Sequence, residues 1–297
     1  MFDDLRPELS IYGRNHMITP NFERLASRSV LFDKAIAQIS VCNPSRDSLL
    51  TGLRPDTTGT YSFQSSYRPH LSLPMHLGRV NYTTASFGKI FHWEIDDRDV
   101  WTKELYENGW YEYQNYEREI MNSTTMADRT KPEEKFRDYD YTSKAIDRLR
   151  VMIADKSHHF MLAMGFKLPH LQTHVPWKYY EPYLNRTHLW KMSKKELRFP
   201  HSAPDVAYRC CAEPEFTFMI DHGAVRNPNK LSMGDINMAF TDQMYDELML
   251  GYCAGISFVD AQLGRLLDVL DQTDAWSNTV VVLAADHGMH NGEKGIW

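Results

Sequence analysis

Strand-length apolar runs alternate with stretches of helical period along this chain, and that alternation constrains its fold more than any other feature. Val30 to Phe32, Thr83 to Phe87, Phe160 to Phe166 and Thr279 to Ala284 are short runs rich in β-branched or aromatic residues. Helical patterns lie between them. Thr19 and Pro20 open a short helix through about Arg28, with Phe22 and Leu25 facing inward. From Tyr141 the positions Ala145, Ile146, Leu149, Met152 and Ile153 share one helical face. A longer pattern from Met244 to Leu270 puts Leu263, Leu266, Leu267 and Leu270 in one stripe. Strands alternating with helices predict an α/β fold around a largely parallel sheet flanked by helices. Residues 93–138 and 185–243 lack such a period and read as irregular insertions in a single domain spanning 1–297.

The polar residues that follow the strands are the candidate site. Lys89 and His92 follow Thr83–Phe87, His170 follows Phe160–Phe166, and Asp286 and His287 follow Thr279–Ala284. Asp3 and Asp4 would close a strand of which only Met1 and Phe2 are present, which predicts a piece of a longer protein. Ligand sites of open α/β sheets form at the carboxyl edge of the strands, so these groups converge despite their distance in sequence. Three carboxylates brought together repel one another unless a cation neutralises them. All-oxygen ligation suits a hard divalent ion such as calcium, or magnesium with retained waters, better than zinc.

Cys42-Asn43-Pro44-Ser45-Arg46 reads as a cysteine at a helix start. Pro44 suits the first turn, and Arg46, four residues on, shares a face with Cys42. An anion there meets free backbone N–H groups, the positive end of the helix dipole and a guanidinium. Taken alone, the pentad is equally an ordinary buried cysteine before a helix. A phosphatase-type loop needs a longer spacing between its cysteine and its arginine.

The pentad resembles, residue for residue, the Cys-x-Pro-Ser-Arg signature of the type I sulfatases. Leu50-Thr51-Gly52-Leu53-Arg54-Pro55-Asp56-Thr57-Thr58 and Asp3-Asp4-Leu5-Arg6-Pro7 are most similar to its iduronate-2-sulfatase branch. The resemblance runs from residue 3 to residue 297, dense around the motifs and thin in the two irregular stretches. It implies an alkaline-phosphatase-like sandwich and a sulfuric ester hydrolase acting on a sulfated glycan, as in glycosaminoglycan degradation. It implies conversion of Cys42 to formylglycine by the formylglycine-generating enzyme, and one calcium ion held by Asp3, Asp4, Cys42, Asp286 and His287. On the same resemblance Arg46 and Lys89 hold the sulfate, His170 protonates the leaving alcohol, and His92 takes a proton as the sulfated intermediate collapses. A further sulfate-binding lysine of the family lies past Trp297, and Lys294 reads as a solvated loop lysine. Two rivals stay open: a phosphate or phosphonate ester hydrolase on the same scaffold, and a non-catalytic fragment that binds sulfated glycans.

Bulk properties narrow the partners. A net charge of -6 with no basic stripe argues against nucleic acid. No apolar run reaches membrane-spanning length, and Met1-Phe2 leads into two aspartates without a signal peptide. The sequons at Asn81, Asn122 and Asn185 favour the secretory pathway, which fits the lysosomal or secreted location that the resemblance implies. Cys210 and Cys211 are adjacent, an awkward geometry for a mutual disulfide, and Cys253 falls in the long helical pattern as a buried thiol.

Overall fold

The computed structural model describes residues 1–63, 70–92, 97–102, 105–107, 127–190 and 242–293. Its elements in chain order are β1 (Phe2–Asp3), α1 (Pro20–Ala26), α2 (Cys42–Thr51), α3 (Pro55–Thr58), α4 (Leu73–Arg79), β2 (Tyr82–Gly88), β3 (Tyr106–Glu107), β4 (Ala127–Asp128), α5 (Arg137–Ala154), β5 (His159–Pro169), β6 (Val175–Pro176), α6 (Trp177–Tyr180) and α7 (Asp242–Gln272). The main sheet has the order β1-β5-β2-β3, and every pair in it is parallel. The expected α/β architecture is therefore the one observed.

Strand β5 shows why the sheet lies between two layers. Leu162, Met164 and Phe166 face one way, into a core built with Tyr141, Ala145, Leu149 and Met152 of α5 and Leu248, Tyr252, Val259 and Leu263 of α7. Met161 and Ala163 face the other way and pack against Leu50 of α2 and Met75 of α4, with Ile90, Phe91 and Trp101. The period of two along a strand thus supplies both faces with apolar side chains, and helices cover each. Burying a side chain such as Phe166 or Leu248 is worth about 1.5–3 kcal/mol, so these two layers carry most of the driving force. Phe2 enters the same core between Phe166 and Phe22, with ring centroids 4.7 and 5.2 Å away.

Four local expectations change. Val30, Leu31 and Phe32 form no strand and are 80, 45 and 72% exposed, because no strand among the described residues offers them a ladder. Thr279 to Ala284 forms no strand: pairing begins at its end, where the Ala284 carbonyl accepts the Phe2 N–H at 3.0 Å and Ala285 bridges Phe2, while Val280 and Val282 are 88 and 81% exposed. With β1 only two residues long, no further partner for this run exists among the described residues. β-Branched composition favours an extended backbone, but a strand needs a second chain segment beside it. Thr19 does not cap α1 with its side chain; its Oγ1 lies 2.7 Å from Ser10 Oγ, and Asp260 of α7 accepts the Asn21 and Phe22 N–H groups instead. Finally, the stretch 93–138 holds β4, which pairs in parallel with β6, and its last residues open α5. Most of 185–243, with Cys210 and Cys211, lies outside the described residues, as do Asn122, Lys294 and Trp297.

Candidate active site

The carboxyl ends of β1, β2 and β5 converge with the start of α2 and with the turn after Ala285. Each end is shaped by a local device. Gly88 closes β2 at φ 74 and turns the chain so that Lys89 leads inward, and Gly52 at φ 72 ends α2 with its N–H on Ser48 O. Asp4 holds the left-handed conformation at φ 61 without being glycine. Leu168-Pro169 is a cis peptide, immediately before His170.

Cys42 is the first residue of α2, and its Sγ lies 3.2 Å from His287 Nε2. Ligand atoms of Asp3, Cys42 and His170 lie within 4.8 Å of one another, as do those of Asp4, Cys42 and His287 and those of Asp3, Asp4 and Asp286. Arg46, one helical turn beyond Cys42, is fully buried beside them. Its Nε donates to Asp286 Oδ2 at 2.9 Å, its Nη2 to Asp3 Oδ1 at 2.8 Å, and its Nη1 to the carbonyls of Lys89 and Ile90. The guanidinium is thus committed to two carboxylates and the backbone, where the sequence suggested an anion. Lys89 Nζ meets Asp3 Oδ2 at 2.5 Å, and Asp286 Oδ1 accepts the N–H groups of Asp4 and His287.

Electrostatics follow from this packing. Burial opposes the charge on Asp3, yet Lys89 and Arg46 outweigh it and hold the Asp3 carboxyl well below the usual carboxylate range. Burial, and after it the Asp3 carboxylate, push the Cys42 thiol up, so an unmodified thiolate is disfavoured here. Burial pulls His170 down to about 3, against the pull of Asp3. Its Nδ1–H is spent on the Leu171 carbonyl, which leaves Nε2 as the working nitrogen, 3.8 Å from Asp4 Oδ2.

Three buried carboxylates against two buried cations leave one negative charge within the cluster. That excess, and a donor set dominated by carboxylate oxygen, fit a hard divalent cation. Of the expected site residues, Asp3, Asp4, Cys42, Arg46, Lys89, His170, Asp286 and His287 come together. His92 lies on the loop beyond Lys89, its ring 4.9 Å from that of Phe63. Residues that the sequence did not flag also serve the site: Asp138 of α5 accepts the N–H groups of Lys167 and Leu168 at 3.0 Å each, fixing the end of β5. Nothing in its local pattern separates it from any acidic residue in a first helical turn.

The sulfatase family profile matches residues 1–297. The chain belongs to the sulfatase family. Iduronate 2-sulfatase of Mus musculus is 32% identical over an alignment covering 99% of this chain and 54% of that protein. The Homo sapiens protein of the same name is 31% identical, with 99 and 55% covered. The chain spans about half the length of these sulfatase relatives. Among solved structures, the phosphonate monoester hydrolase of Agrobacterium radiobacter superposes with a TM-score of 0.67 at 19% identity, covering 98% of this chain and 62% of that one. A protein solved in complex with its substrate D-glucosamine-2-N,6-O-disulfate gives 0.69 at 19%, covering 100 and 66%. These two establish the fold, an alkaline-phosphatase-like arrangement of parallel sheet and helices.

Proposed function

We propose that this sulfatase-family chain carries the active site of a sulfuric ester hydrolase that removes sulfate from a sulfated sugar, in the manner of an iduronate-2-sulfatase. The observation that supports it best is the setting of Cys42, at a helix start and within 4.8 Å of ligand atoms of Asp3 and His170 and of Asp4 and His287. Formylglycine at position 42, made by the formylglycine-generating enzyme during synthesis, would supply a hydrated aldehyde hydroxyl as nucleophile, and calcium would supply charge neutralisation at the sulfate oxygens. Asp3, Asp4, Asp286 and His287, with residue 42, would hold that ion.

The chain's own residues have separable roles. Arg46 holds the Asp3 and Asp286 carboxylates in register, which the sequence alone had assigned to sulfate contact. Lys89 balances Asp3 within the buried cluster, and its ammonium is the cation proposed to share with a sulfate oxygen. His170 presents Nε2, the nitrogen proposed to protonate the leaving alcohol, with Nδ1 on the Leu171 carbonyl; burial alone disfavours its charged form, so the proton must be stabilised by the bound, negatively charged ester. His92 is the base proposed for the return step. The exposed sequons at Asn81 and Asn185 suit a lysosomal or secreted glycoprotein, and no helix among the described residues is long and apolar enough to cross a membrane.

The test is a pair of measurements on protein made in cells with a secretory pathway. Mass analysis of the peptide containing residue 42 should find formylglycine, and sulfate should be released from sulfated sugars and aryl sulfates but not from the matching phosphate or phosphonate esters. Only free thiol at position 42, or faster phosphonate than sulfate hydrolysis, overturns the reading. Cys42→Ala should abolish hydrolysis.

A further inference from the structure

We propose that Tyr252, in the middle of α7, is a positioning residue for the cation centre, acting on Asp4 through the backbone; the inference rests on the cation reading above. Asp4 is the carboxylate whose main chain is strained, at φ 61. A left-handed aspartate persists only where its surroundings over-determine it. Two hydrogen bonds do so here. The Asp4 N–H donates to Asp286 Oδ1 at 3.1 Å, and the Asp4 carbonyl accepts the Tyr252 hydroxyl at 2.8 Å.

The same hydroxyl accepts the Arg6 N–H at 2.9 Å, so one phenol oxygen closes the turn Asp4-Leu5-Arg6 from both sides. Tyr252 is fully buried, and a phenol with both hydrogen-bonding capacities filled holds this turn without water. The far side of the turn is pinned as well. Arg6 Nη1 pairs with Glu293 Oε1 at 2.6 Å, tying the turn to the segment that follows His287. With its main chain fixed, the Asp4 carboxylate is directed at the centre, 3.4 Å from His287 Nδ1 and 3.8 Å from His170 Nε2.

Removal of the hydroxyl alone leaves the Asp4 carbonyl and the Arg6 N–H without this partner and frees Asp4 to leave the left-handed region. The carboxylate then swings from the cluster. Groups that orient a metal ligand typically change affinity by about 10–100-fold when lost.

The experiment is calcium titration by calorimetry on the unsubstituted chain, Tyr252→Phe and Tyr245→Phe. Tyr245 lies on the same helix, is also buried, and donates its hydroxyl to the Trp190 carbonyl at 2.9 Å, away from Asp4. It therefore controls for the loss of one buried hydrogen bond. Tyr252→Phe should weaken calcium by about 10–100-fold, whereas Tyr245→Phe should stay within about threefold of the unsubstituted chain. Equal calcium affinity in the two variants overturns the proposal. Absence of calcium binding in the unsubstituted chain overturns the cation centre and the proposal with it. Should Tyr252→Phe not fold, hydrogen exchange of the unsubstituted chain decides: linkage requires the Arg6 amide to exchange more slowly with calcium than without. An unchanged rate overturns the assignment.

Discussion

The Lys89 N–H donates to the carbonyl of Gly165 at 3.0 Å, and a methyl group on Gly165 would fall 1.9 Å from the carbonyl oxygen of Lys89. β2 and β5 therefore meet backbone to backbone at the edge where Lys89 leaves the sheet for Asp3. The close approach lets Lys89 reach the carboxylates from a rigid ladder and not from a loose loop.

Gly165→Ala should accordingly cost about 3 kcal/mol or more, because the two strands must part to admit the methyl group. Gly255→Ala is the matched control. Its methyl would meet Thr173 and Pro169 at 3.5 and 3.6 Å, ordinary contact distances, and in the helix interior alanine is favoured over glycine by about 1 kcal/mol. Urea unfolding of both variants checks this. Similar stabilities for the two would show that the strands yield.

Chelation should destabilise the protein as well as inactivate it. The carboxylates of Asp3, Asp4 and Asp286 outnumber the cations Arg46 and Lys89, so a bound dication removes repulsion in the folded state alone. At 100 times its Kd a ligand contributes about 2.7 kcal/mol. Thermal unfolding with excess EGTA should show a lower Tm, restored by calcium and not by zinc. An identical Tm with and without the chelator would count against a calcium ion in the fold.

His170→Ala and His92→Ala should fail differently. Loss of a proton donor at His170 should slow esters with poor leaving groups by about 10²–10⁴-fold, and activated aryl sulfates far less. Loss of a base at His92 should leave covalent sulfate on the protein whatever the leaving group was. Mass analysis after a single turnover, with rates on both ester types, separates the two. Equal losses for His170→Ala on both esters, and no trapped sulfate in His92→Ala, would reduce both residues to sulfate binding.

Asp128 gives a pH test away from the site. The Thr130 and Lys131 N–H groups bond its carboxylate and hold it down at about 2, against an ordinary 3.8. A depressed folded value contributes stability that is present above pH 3.8 and is lost as pH falls through 2. The Tm advantage of the unsubstituted chain over Asp128→Asn should therefore be constant above about pH 5 and shrink toward pH 2. A pH-independent difference would assign the effect to packing.

The sequence by itself determined the fold class and most of the candidate site. Strand and helix periods announced the parallel sheet, since burial on both faces forces apolar runs and crossover helices impose the 3.6 period. Lys89 and His170 were legible because the fold type places polar residues after strands at one edge, Asp286 because it closes a β-branched run, and Cys42 through its pentad at a helix start. What only the tertiary structure decided depends on partners from elsewhere in the chain. Val30–Phe32 and Val280–Leu283 have strand composition, yet a strand is a relation between two segments and neither has a ladder among the described residues. Asp260 caps α1 from another helix where Thr19 has the cap position, and Arg46 faces carboxylates because Asp3 and Asp286 arrive from opposite ends of the sequence. Tyr252, Asp138 and Gly165 carry no local signal at all. Their roles come from contact with backbone distant in sequence, by a side chain for Tyr252 and Asp138 and by close approach for Gly165, and only the packed fold brings those together.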